Sequence, residues 1–200
     1  MSNASDKVRV TFLEHGGLLR RSEAARLGIH PQTLSRMVGA GLLERAERGL
    51  YRLAELEPPS NSDLIQVAKL VPQGVVCLIS ALSFHALTTQ IPFMVYLALP
   101  QSVKKPKLAY PPLQVVWLSG GAYSAGVGSY ELDGVSVPIY NREKTVADCF
   151  KFRNKLGLDI AIEALREYLL LADRSVDELL RFAAIDRVQA VMRPYLEALV

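Results

Sequence analysis

One stretch restricts the possible folds of this chain more than any other: residues 22–40, Ser-Glu-Ala-Ala-Arg-Leu-Gly-Ile-His-Pro-Gln-Thr-Leu-Ser-Arg-Met-Val-Gly-Ala. Ser22 is expected to cap a short helix over 23–27, its hydroxyl accepting from an otherwise unpaired N–H. Ala24 and Ala25 are small enough for another helix to approach closely. Gly28 supplies the left-handed residue of a tight turn, and Ile29 returns to the core. Pro31 sits at the one helical position that tolerates it well, the first. The helix it opens, 31–40, has Leu34, Met37 and Val38 at i, i+3 and i+4 and so buries that side. Gln32, Thr33, Ser35 and Arg36 are left facing outward. Upstream, Val8, Phe12 and Leu13 predict a first helix, ended by Gly16-Gly17. Downstream, residues 42–46 and 50–53 read as two short strands joined by Glu47-Arg48-Gly49, a hairpin link. Three helices and a hairpin in this order predict an N-terminal winged helix-turn-helix.

Charge points the same way. The chain has 23 basic and 20 acidic residues, a formal net charge of +3. Between residues 20 and 52 stand Arg20, Arg21, Arg26, Arg36, Arg45, Arg48 and Arg52 against only Glu23, Glu44 and Glu47, so more than the whole excess sits there. Arginine's planar fork suits phosphate oxygens and guanine edges. A polar helix after a tight turn fits the major groove, its N-terminal residues meeting base edges. The candidate base readers are therefore Gln32, Thr33, Ser35 and Arg36. Arg20 and Arg21 are phosphate clamps or simply exposed, and Arg45, Arg48 and Arg52 are wing contacts to the DNA backbone. A solvated basic face and a protein-binding wing are the alternative readings. His30 is expected to cap a helix rather than hold metal, since His15 and His85 share no ligand spacing with it.

The turn-forming run Glu57-Pro58-Pro59-Ser60-Asn61-Ser62 divides the chain into 1–57, the DNA-binding part, and 58–200, an α+β domain ending in several helices. In the second part Ser62 is expected to cap a helix with Leu64, Ile65, Ala68 and Val71 on one face. Residues 75–79 read as a buried strand before a helix from Ser80. Residues 94–99 and 113–118 are β-rich, and 130–140 is a hairpin turning at Asp133-Gly134. Asn141 is expected to cap a helix carrying Lys144, Asp148, Lys151 and Lys155, with Asp148 pairing Lys144 or Lys151 across one turn. A face of Leu158, Ile162, Leu165 and Leu169 follows, then a capping box at Ser175-Val176-Asp177-Glu178. Val188, Val191, Met192, Tyr195 and Leu199 mark a last amphipathic helix.

No reaction is legible. The glycines at 120, 121, 126 and 128 lack the dinucleotide-binding pattern and lead into a strand, and no nucleophile elbow occurs. Cys77 and Cys149 are too few for a disulfide framework or a four-ligand zinc site and read as buried thiols. No cofactor and no metal are expected. No apolar run approaches the roughly 20 residues of a membrane span, and the polar first nine residues predict no secretory leader, so the chain is expected in the cytoplasm, away from membranes. The basic run Lys104-Lys105-Pro106-Lys107 reads as solvated or as a secondary phosphate contact.

The stretch Thr33-Leu34-Ser35-Arg36-Met37-Val38-Gly39-Ala40-Gly41-Leu42-Leu43-Glu44-Arg45, with Arg48-Gly49-Leu50-Tyr51-Arg52-Leu53, resembles the N-terminal winged helix of AbiEi-family antitoxins. Ile79-Ser80-Ala81-Leu82-Ser83-Phe84-His85-Ala86-Leu87 resembles the segment that opens their second domain. Arg142-Glu143-Lys144-Thr145-Val146-Ala147-Asp148, running on to Gly157-Leu158-Asp159-Ile160-Ala161-Ile162-Glu163-Ala164-Leu165, resembles their helical C-terminal region. The resemblance implies a regulator and antitoxin of a type IV toxin–antitoxin pair, associated with abortive phage infection. Its first domain would bind repeats in its own promoter and repress. Its second would counter a nucleotidyltransferase-like toxin, without the two needing to form a stable complex. Two other readings stand beside it: a nucleic-acid-acting enzyme using Glu131, Asp133, Glu143 and Asp148, and a module that binds its toxin directly.

Overall fold

The computed structural model describes residues 2–56 and 61–199. The chain is mixed α+β, opening with helices and a small sheet and ending in helices. Two compact units are present: one of Met1–Pro72, Lys107–Pro111 and Tyr130–Val137, the other of Gln73–Pro106, Pro112–Ser129 and Pro138–Val200. The first thus reaches past residue 57. Residues 57–60 of the expected linker lie outside the described residues.

In the first unit, α1 (Ser2–Leu13) is followed by β1 (Leu18–Arg20), α2 (Arg21–Arg26), α3 (Pro31–Gly39), β2 (Leu43–Glu47), β3 (Leu50–Leu53) and α4 (Ser62–Leu70). Val8 and Phe12, one helical turn apart, are buried, but Leu13 is 42 % exposed; it stands about 100° round the helix from Phe12 and so faces away from the core. Gly16 has φ of +71°, and a Cβ there would sit 2.2 Å from the Asp133 carbonyl oxygen, so only glycine fits. The strand β1 has no counterpart in the sequence reading, since three residues are too short to show a period. It pairs antiparallel with β3, whose other edge takes β2, giving the order β1-β3-β2. The β2–β3 turn is tighter than expected, because Glu47 belongs to the strand and only Arg48-Gly49 remain outside. Helix α4 begins at Ser62, not after it: Asn61 precedes the helix, its carbonyl accepting from the Ile65 N–H, and no side chain caps it. Its buried residues are Leu64, Ile65, Gln66 and Val67, with Ala68 only half-buried.

The second unit carries β4 (Val75–Val76), α5 (Leu78–Phe84), β5 (Val95–Pro100), β6 (Leu113–Leu118) and α6 (Gly121–Ser124), together with the start of β7 (Val127–Leu132) and the end of β8 (Val135–Tyr140), whose hairpin, Tyr130–Val137, belongs to the first unit. The helices α7 (Arg142–Lys151), α8 (Arg153–Leu156), α9 (Leu158–Leu169), α10 (Val176–Ile185) and α11 (Gln189–Leu199) follow. The sheet order is β6-β5-β4-β8-β7, with β4 antiparallel to β5 and parallel to β8, and β5 parallel to β6. The hairpin turns at Asp133 and Gly134, both at positive φ, as expected. The expected strand over 75–79 ends at Val76, and Cys77 becomes the N-cap of a helix buried from Leu78 to Leu82. An apolar run buried on all sides has no period to separate strand from helix.

Asn141 caps α7 as expected, its side chain accepting from the Lys144 N–H at 2.9 Å. Lys155 lies beyond that helix, in α8. The buried face of α9 is Ile160, Ala161, Ala164, Leu165 and Tyr168, with Leu158 at the exposed edge. Ser175 Oγ accepts from the Glu178 N–H, but the Glu178 carboxylate is drawn off by Arg181, so the capping box is half formed. Cys77 and Cys149 are both fully buried thiols.

The second unit also buries charge. Lys144 and Asp148, one turn apart on α7, pair at 2.5 Å, and Lys144 also donates to Asp186 at 3.1 Å. Lys151 donates to Asp186 at 3.1 Å, and the Tyr140 ring lies 4.8 Å from the Lys144 ammonium. Desolvation raises the Asp148 carboxyl to about 8, against the lowering pull of Lys144 and with a further rise from Asp186. Between its ordinary unfolded value near ~4 and about 8, Asp148 is then protonated when folded and ionised when unfolded. Its contribution to stability therefore falls as pH rises through that window. Thermal unfolding of the wild type and of Asp148→Asn, a neutral mimic, checks this. The wild type should lose stability relative to the variant between pH 5 and 8, and an equal difference at both values would contradict it.

Candidate nucleic-acid interface

Helix α2 ends in a left-handed turn. Gly28 has φ of +79°, its N–H donates to the Ala25 carbonyl at 3.1 Å, and the Ile29 N–H donates to the Ala24 carbonyl at 2.8 Å. Those two bonds satisfy the last carbonyls of α2 and reverse the chain. Ala24 and Ile29 then enter the core, while Ala25 stays exposed. His30 caps α3: its Nδ1 accepts from the Gln32 N–H at 3.2 Å, and Pro31 takes the first helical position. Alanine at Gly28 would meet no neighbouring atom, so its cost is the backbone conformation alone. Gly28→Ala should lower stability by about 1–2 kcal/mol in a denaturant titration, and no loss would contradict the strained turn.

Helix α3 buries Leu34 and Met37, at 0 % and 2 % exposure, in one core with Phe12, Leu19, Ala24 and Tyr51. Its other side carries Gln32, Ser35 and Arg36, all exposed, with Thr33 and Val38 half-buried. Gln32 and Arg36 stand one turn apart and form a continuous polar stripe with Ser35.

Arg20 and Arg21 sit where β1 passes into α2. The Arg20 N–H donates to Glu23 Oε2 at 2.8 Å, so the helix starts at Arg21 and the acceptor is Glu23. Ser22, expected as the cap, is inside the first turn. The Arg21 N–H donates to the Gly49 carbonyl at 2.8 Å, which ties the start of α2 to the β2–β3 turn. As a result Arg20, Arg21 and Arg48 line one surface groove of about 530 Å³ with Ser22, Ala25, Pro31 and Gly49. The last four escape a reading based on residue type, because small and apolar groove linings carry no charge signature.

The remaining hairpin arginines are placed apart. In the β2–β3 register Arg45 opposes Tyr51 and Glu44 opposes Arg52. Successive residues alternate faces, so Arg45 and Arg52 lie on opposite sides of the hairpin. Arg45 is exposed, with its guanidinium 5.7 Å above the Tyr51 ring. Arg52 is bound to Glu44 at 2.6 Å and lines a different cavity with Gly16, Leu56, Ile65 and Asp133. The structure thus gathers Arg20, Arg21 and Arg48, and separates Arg52 from them.

Of the carboxylates considered for catalysis, Glu131 and Asp133 belong to the first unit, Glu143 and Asp148 to the second. Among the described residues no three His, Cys, Asp or Glu side chains group so as to hold a metal ion. No helix among them is long and apolar enough to cross a membrane.

Residues 9–54 match a family model, AbiEi_4, described as transcriptional regulator, AbiEi antitoxin. No curated protein matches the chain at a significant level. Among solved structures, the crystal structure of the RV2827C protein from Mycobacterium tuberculosis is similar, with a TM-score of 0.64 at 15 % identity over 97 % of this chain and 76 % of that one. That likeness shows a shared fold. Residues 9–54, which hold the α2–α3 turn and the arginine groove, thus resemble the AbiEi antitoxin family of transcriptional regulators.

Proposed function

We propose that this protein is a sequence-specific DNA-binding repressor of its own promoter and the antitoxin of a type IV toxin–antitoxin pair. The observation that carries the reading is the polar stripe of α3 beside three arginines in one groove, inside the segment that matches a regulator family. The order helix, strand, helix, helix, strand, strand over α1 to β3 is read as a winged helix, with α3 entering the major groove. Gln32, Thr33, Ser35 and Arg36 meet base edges, Arg36 as a fork onto guanine. Arg20, Arg21 and Arg48 hold phosphates, and Arg45 adds charge along the wing. Arg52, bound to Glu44, serves the hairpin.

Residues 1–57 are assigned the DNA role and 58–200 the antitoxin and regulatory role. The toxin is proposed to be nucleotidyltransferase-like and encoded nearby, acting in the cytoplasm, with abortive infection as the setting. The protein acts by binding rather than by turnover.

The test is a titration of DNA from upstream of the protein's own reading frame. Arg36→Ala should weaken specific binding by about 1–3 kcal/mol and relax the sequence preference at one position. Arg48→Ala should weaken binding to every sequence and lower the slope of log K against log salt by about 0.9. Arg52→Ala should leave that slope unchanged. Wild-type affinity in both Arg36→Ala and Arg48→Ala would contradict this docking.

A further inference from the structure

We propose that Lys107 is a further phosphate contact of the DNA-binding surface, brought to the wing by a strap from far along the chain; this rests on the DNA-binding reading above. Lys107–Pro111 belongs to the first compact unit although the chain has left that unit before it. The strap is fastened through Tyr110 at three points. The side-chain amide of Gln66, which is 8 % exposed, donates to the Tyr110 carbonyl at 2.8 Å. The Tyr110 hydroxyl donates to Asp63 Oδ2 at 3.1 Å. The Tyr110 N–H donates to Glu47 Oε2 at 3.2 Å, while the other oxygen of Glu47 accepts from the Arg48 N–H at 2.8 Å.

One carboxylate therefore holds both the wing turn and the strap. Lys107 stands three residues before Tyr110, so its Cα lies within about 11 Å of that anchor along the chain. Its side chain is exposed and makes no ion pair among the described residues. The same arrangement removes an electrostatic objection to DNA near Glu47. Both oxygens of that carboxylate are engaged by backbone donors. The Arg48 backbone and the strap that carries Lys107 are thus tied to one carboxylate, the strap coming from a segment outside residues 9–54.

Full-length protein is titrated with DNA from upstream of its reading frame, by fluorescence anisotropy at several salt concentrations. Lys107→Gln should bind about 5–10-fold more weakly at 0.1 M salt, with a slope lower by about 0.9. Its sequence preference and melting temperature should be unchanged. Lys107→Arg should restore both slope and affinity. A wild-type slope in Lys107→Gln beside a reduced slope in Arg48→Ala would overturn this inference alone. Absence of salt-dependent binding by the wild type would overturn the DNA-binding reading and this inference with it.

Discussion

The burial of Leu34 and Met37 governs the rest of the first unit. A helix has one inward side, and once these two enter the core with Phe12, Leu19, Ala24 and Tyr51, Gln32, Ser35 and Arg36 must point to solvent. Fully burying a side chain of this size is worth about 1.5–3 kcal/mol, and no polar group on the opposite side competes with it. The outward stripe is thus a consequence of the core rather than a separate feature. The left-handed turn at Gly28 and the bond from Arg21 to Gly49 extend the consequence, since they set where α2 and the β2–β3 turn stand beside α3.

The two units use charge in opposite ways. In the first, the arginines are displayed: Arg20, Arg21 and Arg48 border one groove, where each can still meet an anion. In the second, Lys144, Asp148 and Asp186 are enclosed, and Lys151 closes the group from a partly exposed position. Such a buried group adds little net stability when whole, yet removing its fully buried cation, Lys144, costs about 3–5 kcal/mol. Its effect is to fix α7 against the residue that follows α10, a role of registry rather than of binding.

The exposed polar stripe of α3 is legible from sequence because it depends on local signals. The glycine turn, the proline at the head of α3 and the three-to-four spacing of Leu34, Met37 and Val38 place the exposed stripe with no knowledge of the rest of the chain. What escaped depends on distance along the chain. Asp186 lies 42 residues from Lys144, so no spacing rule links them. Tyr110 reaches Glu47 across 63 residues, and only the fold shows that Lys107–Pro111 belongs to the first unit. Residue type groups Arg52 with Arg45 and Arg48, whereas strand alternation sends it to the other face and to Glu44. Residue preference makes Ser22 and Ser62 caps, whereas each helix begins at or before its serine, around an acceptor that composition does not single out.

The central claim is that α3 reads bases from the major groove of the protein's own upstream DNA. Methylation interference tests it most directly, since methylation at guanine N7 blocks the major groove and at adenine N3 the minor groove. Interference by N7-methylguanine within a short repeated site, relieved at one guanine in Arg36→Ala, is the result this account predicts. Strong binding that is indifferent to N7 methylation throughout the upstream DNA would contradict it.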